Sequence, residues 1–508
     1  MSVFGLTASD PPPIMVPPSL ISFVVFDTNS PLSEGILDAA KQICYFYPPN
    51  QTLNTQLKQV GLLQALVSFT QTFPVSTPCE VIRTRKSKSA LRQVEKGYWI
   101  FVKVRLGARV IVQRDGKKLA EYLDRDLQDD ILHHLISRSY ARFQMMFKSF
   151  HYLREVSSKS PSAFLDTVDS FFSTIVDGIS DIGSMDLLTS LNGIHRLPLE
   201  KSLYLFIATL ILELESSFKY ISKSCLFYRH HLLWSGIKST ADMHTFYDYI
   251  TDPETGKIHD GLVNQVKRKG EALIDSRPTN LASSSLSISK PNLSSFFGVG
   301  SSTNHSFSGF LIGPDDIYSS SNHVAIKQVF FKDISEKLAL IVYQFQDDIT
   351  YAVFVDILQP ANVQALMDKH TYVQLKTHLD AVFVPLLQRV STAYQNYVKK
   401  IIETPEQTYK FISYNLVNMA IKSSMDITKA VSNLSELTTA LNQLNSDLSR
   451  PCLDLREAYV KISKDAWIVG ISHNDARIFL FLTCPDSKIY LISDEVKRFK
   501  EENTSMYL

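Results

Sequence analysis

The stretch at residues 43–67, ICYFYPPNQTLNTQLKQVGLLQALV, contains the strand-to-helix pattern that decides the fold. Residues 42–47 are apolar or aromatic after Gln42 and stop at Pro48 and Pro49, which predicts a strand. Apolar residues then recur at spacings of three and four, which predicts a helix with one apolar face. The residues of that face are Leu53, Leu57, Val60, Leu63, Leu66 and Val67. The stretch therefore predicts a helix packed against a sheet.

Further strands and helices are predicted on both sides of this stretch. An apolar, β-branched strand at 21–26 precedes it. The predicted elements that follow are strands at 80–85, 98–105 and 108–114 and helices at 121–153 and 162–176. We expect the last two strands to form a hairpin around Leu106 and Gly107.

The same order of elements recurs twice further along the chain. Three segments are similar predicted hairpins: KGYWIFVKVRLGARVIVQ, EKLALIVYQFQDDITYAVFV and KDAWIVGISHNDARIFLFL. A spacing of roughly 150 residues is too long for a solenoid repeat and favours separate domains. The predicted fold class is α/β (α+β), with three domains, each a five-stranded antiparallel sheet that has one face covered by helices.

The predicted domain boundaries follow from composition and element order. A flexible Pro-rich tail occupies residues 1–19, and the first domain spans 20–182. The second domain spans 183–399 and contains a Ser-rich, disordered insertion near 252–308. The third domain spans 400–508.

Composition narrows the class of protein. The chain has 508 residues, 45% of them hydrophobic, and a formal net charge of +1. The hydrophobic fraction predicts packed cores, and the near-neutral charge argues against a general nucleic-acid binder. The five cysteines are widely spaced without a Cys-x-x-Cys, which favours a reducing compartment. With no secretory signal and no apolar run that could span a bilayer, we expect a soluble intracellular protein.

The sequence supports no enzyme class. It has no P-loop, no His-Glu-x-x-His and no Gly-x-Ser-x-Gly. The pairs His133-His134 and His230-His231 project neighbouring side chains to different faces, so neither makes a good metal clamp. We therefore expect no catalytic residue, no metal and no cofactor.

Three segments resemble a known family. ICYFYPP at 43–49 with its following helix, and EVIRTRKSKSALRQVEKGYWIFVKV at 80–104, resemble the first longin domain of the vacuolar fusion proteins of the calcium–caffeine–zinc sensitivity family. CLFYRHHLLWSGI at 225–237, followed by ADMHTFYDYI at 241–250, resembles the opening of that family's second longin domain. The resemblance covers most of the chain and implies three longin-type domains.

The resemblance also implies a function. Members of that family pair with a Mon-family subunit, also of three longin domains, as a guanine-nucleotide exchange factor for the late-endosomal and vacuolar Rab GTPase. The first longin domains of the two subunits pair and form the GTPase surface, whereas the second and third help to bind membrane. Exchange depends on different affinities for two states of the GTPase, not on covalent chemistry.

The expected chain is therefore a non-enzymatic exchange-factor subunit. The resemblance places it on the cytoplasmic side of late endosomes and of vacuoles or lysosomes, where it promotes endosome maturation and fusion. The alternative is a longin-based tether or adaptor of membrane traffic without exchange activity.

Two neighbouring elements are candidate partner surfaces. Tyr45 and Tyr47 alternate with Phe46 along the first strand, and tyrosine is favoured at interfaces; ordinary sheet packing is the alternative. The following helix has a polar face opposite its apolar one. The residues of that face are Gln56, Lys58, Gln59, Gln64 and Gln71. It is interpreted either as a contact for the Mon-type subunit or the GTPase, centred on Lys58 and Gln59, or as a solvated surface.

A basic region is the first candidate membrane contact. Its residues are Arg83, Arg85, Lys86, Lys88, Arg92, Lys96, Lys103, Arg105 and Arg109. Anionic lipids, phosphoinositides among them, attract an exposed basic residue by about 1 kcal/mol. We expect Arg85, Lys86 and Lys88 to contact the membrane, with a solvated hairpin as the alternative.

The Ser-rich insertion is the second candidate membrane contact. A short helix starting at Pro291 would place Leu293, Phe296 and Phe297 on one face and uncharged serine and glycine on the other. That composition suits a helix that senses lipid-packing defects, and the family is known for an amphipathic membrane-targeting helix. A phosphorylatable, disordered loop is the alternative.

Overall fold

The computed structural model describes most of the chain and shows three α/β units in chain order. The described residues are 14–29, 40–72, 80–112, 118–123, 127–158, 160–179, 193–251, 307–314, 326–332, 337–402, 409–424, 434–450, 455–463, 466–473, 475–483 and 489–502. Within those residues no helix combines the length and the apolar character needed to cross a bilayer.

The first unit contains a five-stranded antiparallel sheet, four helices and a small second sheet. Its main strands are β2 (Ser19–Asp27), β3 (Ile43–Tyr47), β4 (Val81–Arg83), β5 (Ser87–Glu95) and β6 (Tyr98–Arg105). Its helices are α1 (Leu53–Gln71), α2 (Asp129–Phe147), α3 (Phe150–Val156) and α4 (Pro161–Gly178). The small sheet contains β1 (Ile14–Val16), β7 (Gly107–Val112) and β8 (Lys118–Leu123). The strand order in the main sheet is β3-β2-β6-β5-β4.

The second unit follows a short strand, β9 (Ile194–His195), and helix α5 (Lys201–Ser217). Its strands are β10 (Ile221–Tyr228), β11 (His231–Ser235), β12 (Gly309–Ile312), β13 (Lys327–Val329), β14 (Leu338–Phe345) and β15 (Ile349–Asp356). Its further helices are α6 (Thr240–Thr251), α7 (Pro360–Met367) and α8 (Lys369–Ile402). The strand order is β11-β10-β15-β14-β12, with β13 also paired to β14.

The third unit is the smallest. Its strands are β16 (Tyr409–Asn415), β17 (Ala420–Ser423), β18 (Glu457–Lys461), β19 (Ala466–His473) and β20 (Ala476–Thr483). Its helices are α9 (Leu434–Ser449) and α10 (Ile489–Glu502). The strand order is β18-β19-β20-β16-β17-β9. When β13 and the added strand β9 are left out of the numbering, all three sheets have the order second, first, fifth, fourth, third. The recurrence seen in the sequence is therefore also a recurrence of topology.

Helices cover both faces of each central sheet, not one face as the sequence predicted. In the first unit, Val60 and Leu63 of α1 pack on one face, and Phe143 of α2 and Phe172 of α4 pack on the other. The strands explain this arrangement, because a strand such as YWIFVKVR in β6 is apolar on both faces over most of its length. A sheet that is apolar on both faces requires a layer on each side.

Two sequence predictions in the first unit were wrong. β6 and β7 do not form a hairpin, because β6 pairs with β5 and β2 while β7 pairs with β1 and β8. The hairpin turn lies at Lys96 and Gly97 instead. Ile14–Val16, assigned to the flexible tail, forms strand β1, whereas residues 1–13 lie outside the described residues.

The first and second units share one hydrophobic core. Helix α2 packs against α6 and β13, and the Phe330 amide donates to the Met145 carbonyl at 2.8 Å. Arg142 donates to the Asp248 carbonyl at 2.9 Å, and Arg138 pairs with the Asp248 carboxylate at 3.0 Å. The two units therefore associate through apolar packing with buried polar contacts.

Strand β9 connects the second and third units. It pairs in parallel with β17, and the Ile194 amide donates to the Met419 carbonyl at 2.7 Å. The next residue, Arg196, forms a parallel bridge to Leu232 in β11. One short segment thus lies along the outer edges of β11 and β17, which are the second strands of their units.

Candidate partner-binding surface

Helix α1 has a buried stripe and an exposed apolar stripe on opposite sides. Val60, Leu63 and Val67 are buried against Val24, Phe26, Phe46, Leu91, Trp99 and Phe101 of the first sheet. Leu62 and Phe69, however, are 61% and 60% exposed. An exposed large side chain is common in isolation, but two on one helix face form a patch.

The exposed side of α1 is a regular stripe, which we name the outer stripe. It consists of Lys58, Leu62, Ala65 and Phe69, all of them exposed. Steps of four, three and four residues place these side chains on one helix face. That face points away from the sheet and consists of apolar groups with one cation at its N-terminal end.

The helix at the same position in the second unit is covered. In α6, Met243, Phe246 and Tyr249 are buried in the core shared with α2 of the first unit. No large apolar side chain of α6 is among the exposed ones. The first helix of the second unit is therefore covered by another unit, whereas the described part of the chain leaves one face of α1 exposed.

The edge strands show the same difference. β11 and β17 are bordered by the segment around β9. Their counterpart in the first unit, β3, pairs with β2 alone within the described part of the chain. The open edge of β3 lies next to α1 in the fold, so an uncovered helix face and an uncovered strand edge occur in the same unit. Exposed edges and apolar patches are features that interfaces use.

The two predicted tyrosines lie on the other face of β3. Tyr45 is buried, with its ring centroid 6.1 Å from that of Phe23 and 5.8 Å from that of Phe172, and burial raises its pKa to about 12. Tyr47 is half-buried against the same core, whereas Phe46 faces α1. The predicted alternation along the strand is confirmed. Tyr45 therefore lies in the core of the isolated chain and not on its surface. This position agrees with the alternative of ordinary sheet packing.

The predicted polar face of α1 is largely occupied by contacts within the unit. Gln59 Nε2 donates to Ser22 Oγ at 3.0 Å, and Gln64 Nε2 donates to Gln42 Oε1 at 3.1 Å. Lys58 is exposed and lies on the outer stripe. Sequence reasoning overlooked Leu62 and Phe69 because they fall off the spacing of the buried face. Their position away from the buried stripe was the sequence signal that could have revealed this surface, because a solvated helix has few large apolar residues off its buried stripe.

The basic region divides into paired and exposed residues. Lys88, predicted to contact membrane, is buried, because its Nζ donates to the Leu127 carbonyl at 2.5 Å and lies 3.4 Å from Asp129. Partial burial would raise the pKa of Asp129, but the hydrogen bond from Arg83 and the charge of Lys88 lower it overall. Lys88 is thus not part of a membrane-facing surface in this structure. Arg85 and Lys86 are exposed at the turn between β4 and β5.

Leu293, Phe296 and Phe297 lie outside the described residues. Within the described residues, no group of three or more His, Cys, Asp or Glu side chains is arranged to hold a metal ion.

The chain is similar to longin-domain proteins in two comparisons. Residues 20–148 match a family model described as the first longin domain of INTU, CCZ1 and HPS4, and residues 405–499 match one described as Intu longin-like domain 3. The chain is 26% identical over 485 residues to a vacuolar fusion protein CCZ1 homolog of Nematostella vectensis, covering 95% of this chain and 96% of the relative. It is 25% identical over 493 residues to the homolog of Xenopus laevis, covering 95% of each.

A relative from a third organism is similar over the same length. The vacuolar fusion protein CCZ1 homolog of Dictyostelium discoideum is 27% identical over 487 residues, which cover 95% of this chain and 96% of the relative. Both matched longin models coincide with sheets of the same topology in the first and third units. The first and third units are therefore longin domains, and the chain is similar over 95% of its length to the vacuolar fusion proteins named CCZ1 homolog.

Proposed function

We propose that this chain acts in vacuolar fusion as one subunit of a heterodimeric guanine-nucleotide exchange factor for the late-endosomal Rab GTPase. In this proposal the second subunit is a Mon-family chain of three longin domains. It binds the outer stripe of α1 and the open edge of β3, and the paired first units present the surface for the GTPase. The observation that carries the proposal is the exposed apolar stripe on α1.

The contacts between the chain's own units support a longin-type partner. Its second unit is covered at α6 by a helix of the first unit, and its second and third sheets are bordered by an added strand segment. Among the described residues, none covers the corresponding helix face and strand edge of the first unit. Burying the rest of Leu62 and Phe69 would stabilise a complex by about 1–2 kcal/mol each. The surface is thus suited to the kind of contact that the chain already makes between its own units.

The proposed activity requires no covalent step on this chain. An exchange factor accelerates nucleotide release by binding the nucleotide-free GTPase more tightly than the nucleotide-bound one. The role of the outer stripe is to hold the two subunits in register, so that their joint surface is rigid when the GTPase binds. The proposed location is the surface of late endosomes and vacuoles, where the chain is peripheral.

The test compares nucleotide release with and without an intact outer stripe. The chain is co-expressed with the Mon-type subunit as wild type or as L62S/F69S, and release of a fluorescent GDP analogue from the Rab is measured. Because both side chains are exposed, we expect the double variant to unfold at the wild-type temperature. We expect it to lose at least about tenfold in affinity for the partner, and with it the accelerated release.

A matched control tests whether the effect is specific to the outer stripe or follows from any loss of exposed apolar area. L205S/L212S removes two side chains of α5 that are 53% and 61% exposed, and it should leave pairing and release unchanged. L63A, in the buried stripe, should instead lower the free energy of unfolding by about 2–4 kcal/mol. Normal pairing by L62S/F69S would refute the proposed surface. A stable wild-type pair that leaves release unchanged would refute the exchange function and favour the tether.

A further inference from the structure

Helix α1 contains a glycine that the packing of its own unit does not require. Gly61 lies in the middle of the helix, at an exposed position. A Cβ added to it would meet no atom within 4 Å, and its backbone is helical. Glycine inside an exposed helix is less favourable than alanine, because a more flexible backbone must be ordered on folding. Gly61 therefore weakens α1 without serving a contact within the described part of the chain.

The other described helices avoid glycine in their interiors. Gly178 is the only further glycine in them, and it is the last residue of α4, where it interrupts no helical turn. A local choice that weakens an element is expected where a surface serves a function. Gly61 is such a choice, and it lies on the exposed side of the helix that carries the outer stripe.

Gly61 forms part of a hole beside the outer stripe. On a helix, residues at i, i+3, i+4 and i+7 surround a hole that accepts one side chain of a facing helix. The exposed residues Lys58, Gly61, Leu62 and Ala65 have this spacing. Because glycine and alanine are the smallest residues, the hole reaches the backbone of α1, and Lys58 and Leu62 form its walls. A large apolar side chain from outside would fit there.

The second unit shows which kind of element covers the first helix of a unit. Its first helix, α6, packs against helix α2 of the first unit. Asp248 of α6 is buried at this contact, where its carbonyl accepts from Arg142 of α2 at 2.9 Å. Packed helices lie about 8–10 Å apart, and the shorter distances require small side chains at the contact. An element that approaches α1 at Gly61 is therefore expected to be a helix.

We propose that a helix of the partner subunit crosses α1 at Gly61 and inserts a large apolar side chain into this hole. Gly61 is then a specificity-determining residue, because it admits a partner helix that comes close to the backbone of α1. A partner with a charged residue at that position would lose hydration without gaining a contact. The inference rests on the proposed function, since it takes the outer stripe as the partner contact and adds the element that binds it.

The test uses a substitution with opposite effects on folding and on pairing. G61A adds a methyl group to the hole and raises helix propensity, so the chain alone should unfold at or above the wild-type temperature. Affinity is measured by displacing a fluorescently labelled wild-type chain from the Mon-type subunit. We expect G61A to bind about tenfold more weakly and G61L at least about a hundredfold more weakly, because both overfill the hole. Weaker pairing by a chain that is no less stable cannot come from unfolding.

A matched control and the outer-stripe variant separate the possible outcomes. N396A raises helix propensity at an exposed position of α8 and should pair as wild type does. If G61A and G61L pair as wild type while L62S/F69S pairs weakly, close helix packing at Gly61 is overturned and the proposed partner surface stands. If L62S/F69S also pairs as wild type, both are overturned. Normal pairing of the Gly61 variants with lost nucleotide release would assign this position to the GTPase and would also overturn the inference.

Discussion

The ion pair between Asp27 and Arg154 joins helix α3 of the first unit to its sheet. Asp27, at the end of β2, is fully buried, and Arg154 of α3 donates to its carboxylate at 2.6 Å. The guanidinium also lies over Phe164 of α4, 4.8 Å from the ring centroid, and over Tyr98 of β6 at 5.4 Å. One side chain thus contacts the sheet and a second helix, so the consequences of removing it should exceed those of a surface pair.

The Arg154 contact can be tested by a double-mutant cycle. R154M removes the guanidinium that pairs with the buried Asp27 carboxylate, which should lower the free energy of unfolding by about 2–3 kcal/mol. The expected loss is smaller than for a fully enclosed pair because Arg154 is 42% exposed. D27N/R154M should recover part of that stability, as measured by urea unfolding. Equal losses in R154M and D27N/R154M would show that the effect comes from lost packing and not from the lost ion pair.

Among the elements, periodicity located most strands and helices but mispaired one hairpin. The sequence predicted a turn at Leu106-Gly107, whereas the chain turns at Gly97, which has φ of +86° and no space for a Cβ beside Asn29. Strand β5 was missed because SKSALRQVE has two cations and a carboxylate and does not look like a central strand. The structure accommodates it because Lys88 finds a carbonyl and a carboxylate, a tertiary contact that no local pattern shows.

The sequence predicted the candidate site only in part, again because a tertiary arrangement decided the outcome. The spacing in α1 identified the buried stripe, and the opposite face was assumed to be polar. Leu62 and Phe69 break that assumption, and such local conflicts are expected where a surface serves a partner. Their exposure depends on how α1 is rotated on the sheet, which the spacing alone did not decide.

The β9 segment also places three histidines together, and this arrangement predicts a pH dependence. The ring of His195 lies 5.5 Å from that of His230, which is 4.0 Å from His231. Burial lowers the pKa of His195 to about 4 and that of His231 to about 2, from a usual 6.5. Below about pH 6.5 the unfolded chain therefore binds protons that the folded chain excludes, and acidification lowers the free energy of unfolding.

Replacing one histidine should flatten that dependence. From about pH 7.5 to about pH 5, H195N should lose roughly 1 kcal/mol less stability than wild type, because Asn has no proton to bind in the unfolded state. The midpoint of urea unfolding at several pH values measures the difference. H370N, at an exposed position of α8, serves as the control and should follow wild type. Parallel curves for wild type and H195N would contradict the assignment.

At the scale of the whole molecule, the three units are joined in two different ways. The first and second share a hydrophobic core across α2, α6 and β13, so they are expected to unfold together. The third unit has separate cores under α9 and α10 and is joined to the second through the strand pairing of β9. A junction made of strand pairing depends on the backbone amides of a few residues. A single substitution that removes one amide can therefore test it.

Removing one amide of β9 should loosen the third unit selectively. I194P eliminates the N–H that donates to the Met419 carbonyl at 2.7 Å, and proline cannot replace a ladder donor. Hydrogen exchange of the full chain should then become faster in β17, which loses its parallel neighbour, whereas β19 in the middle of the same sheet should keep its protection. I194V retains the amide and most of the buried side chain and should exchange as wild type does. Uniformly faster exchange in all three units, or unchanged exchange in β17, would show that β9 is not the element that joins the third unit to the rest.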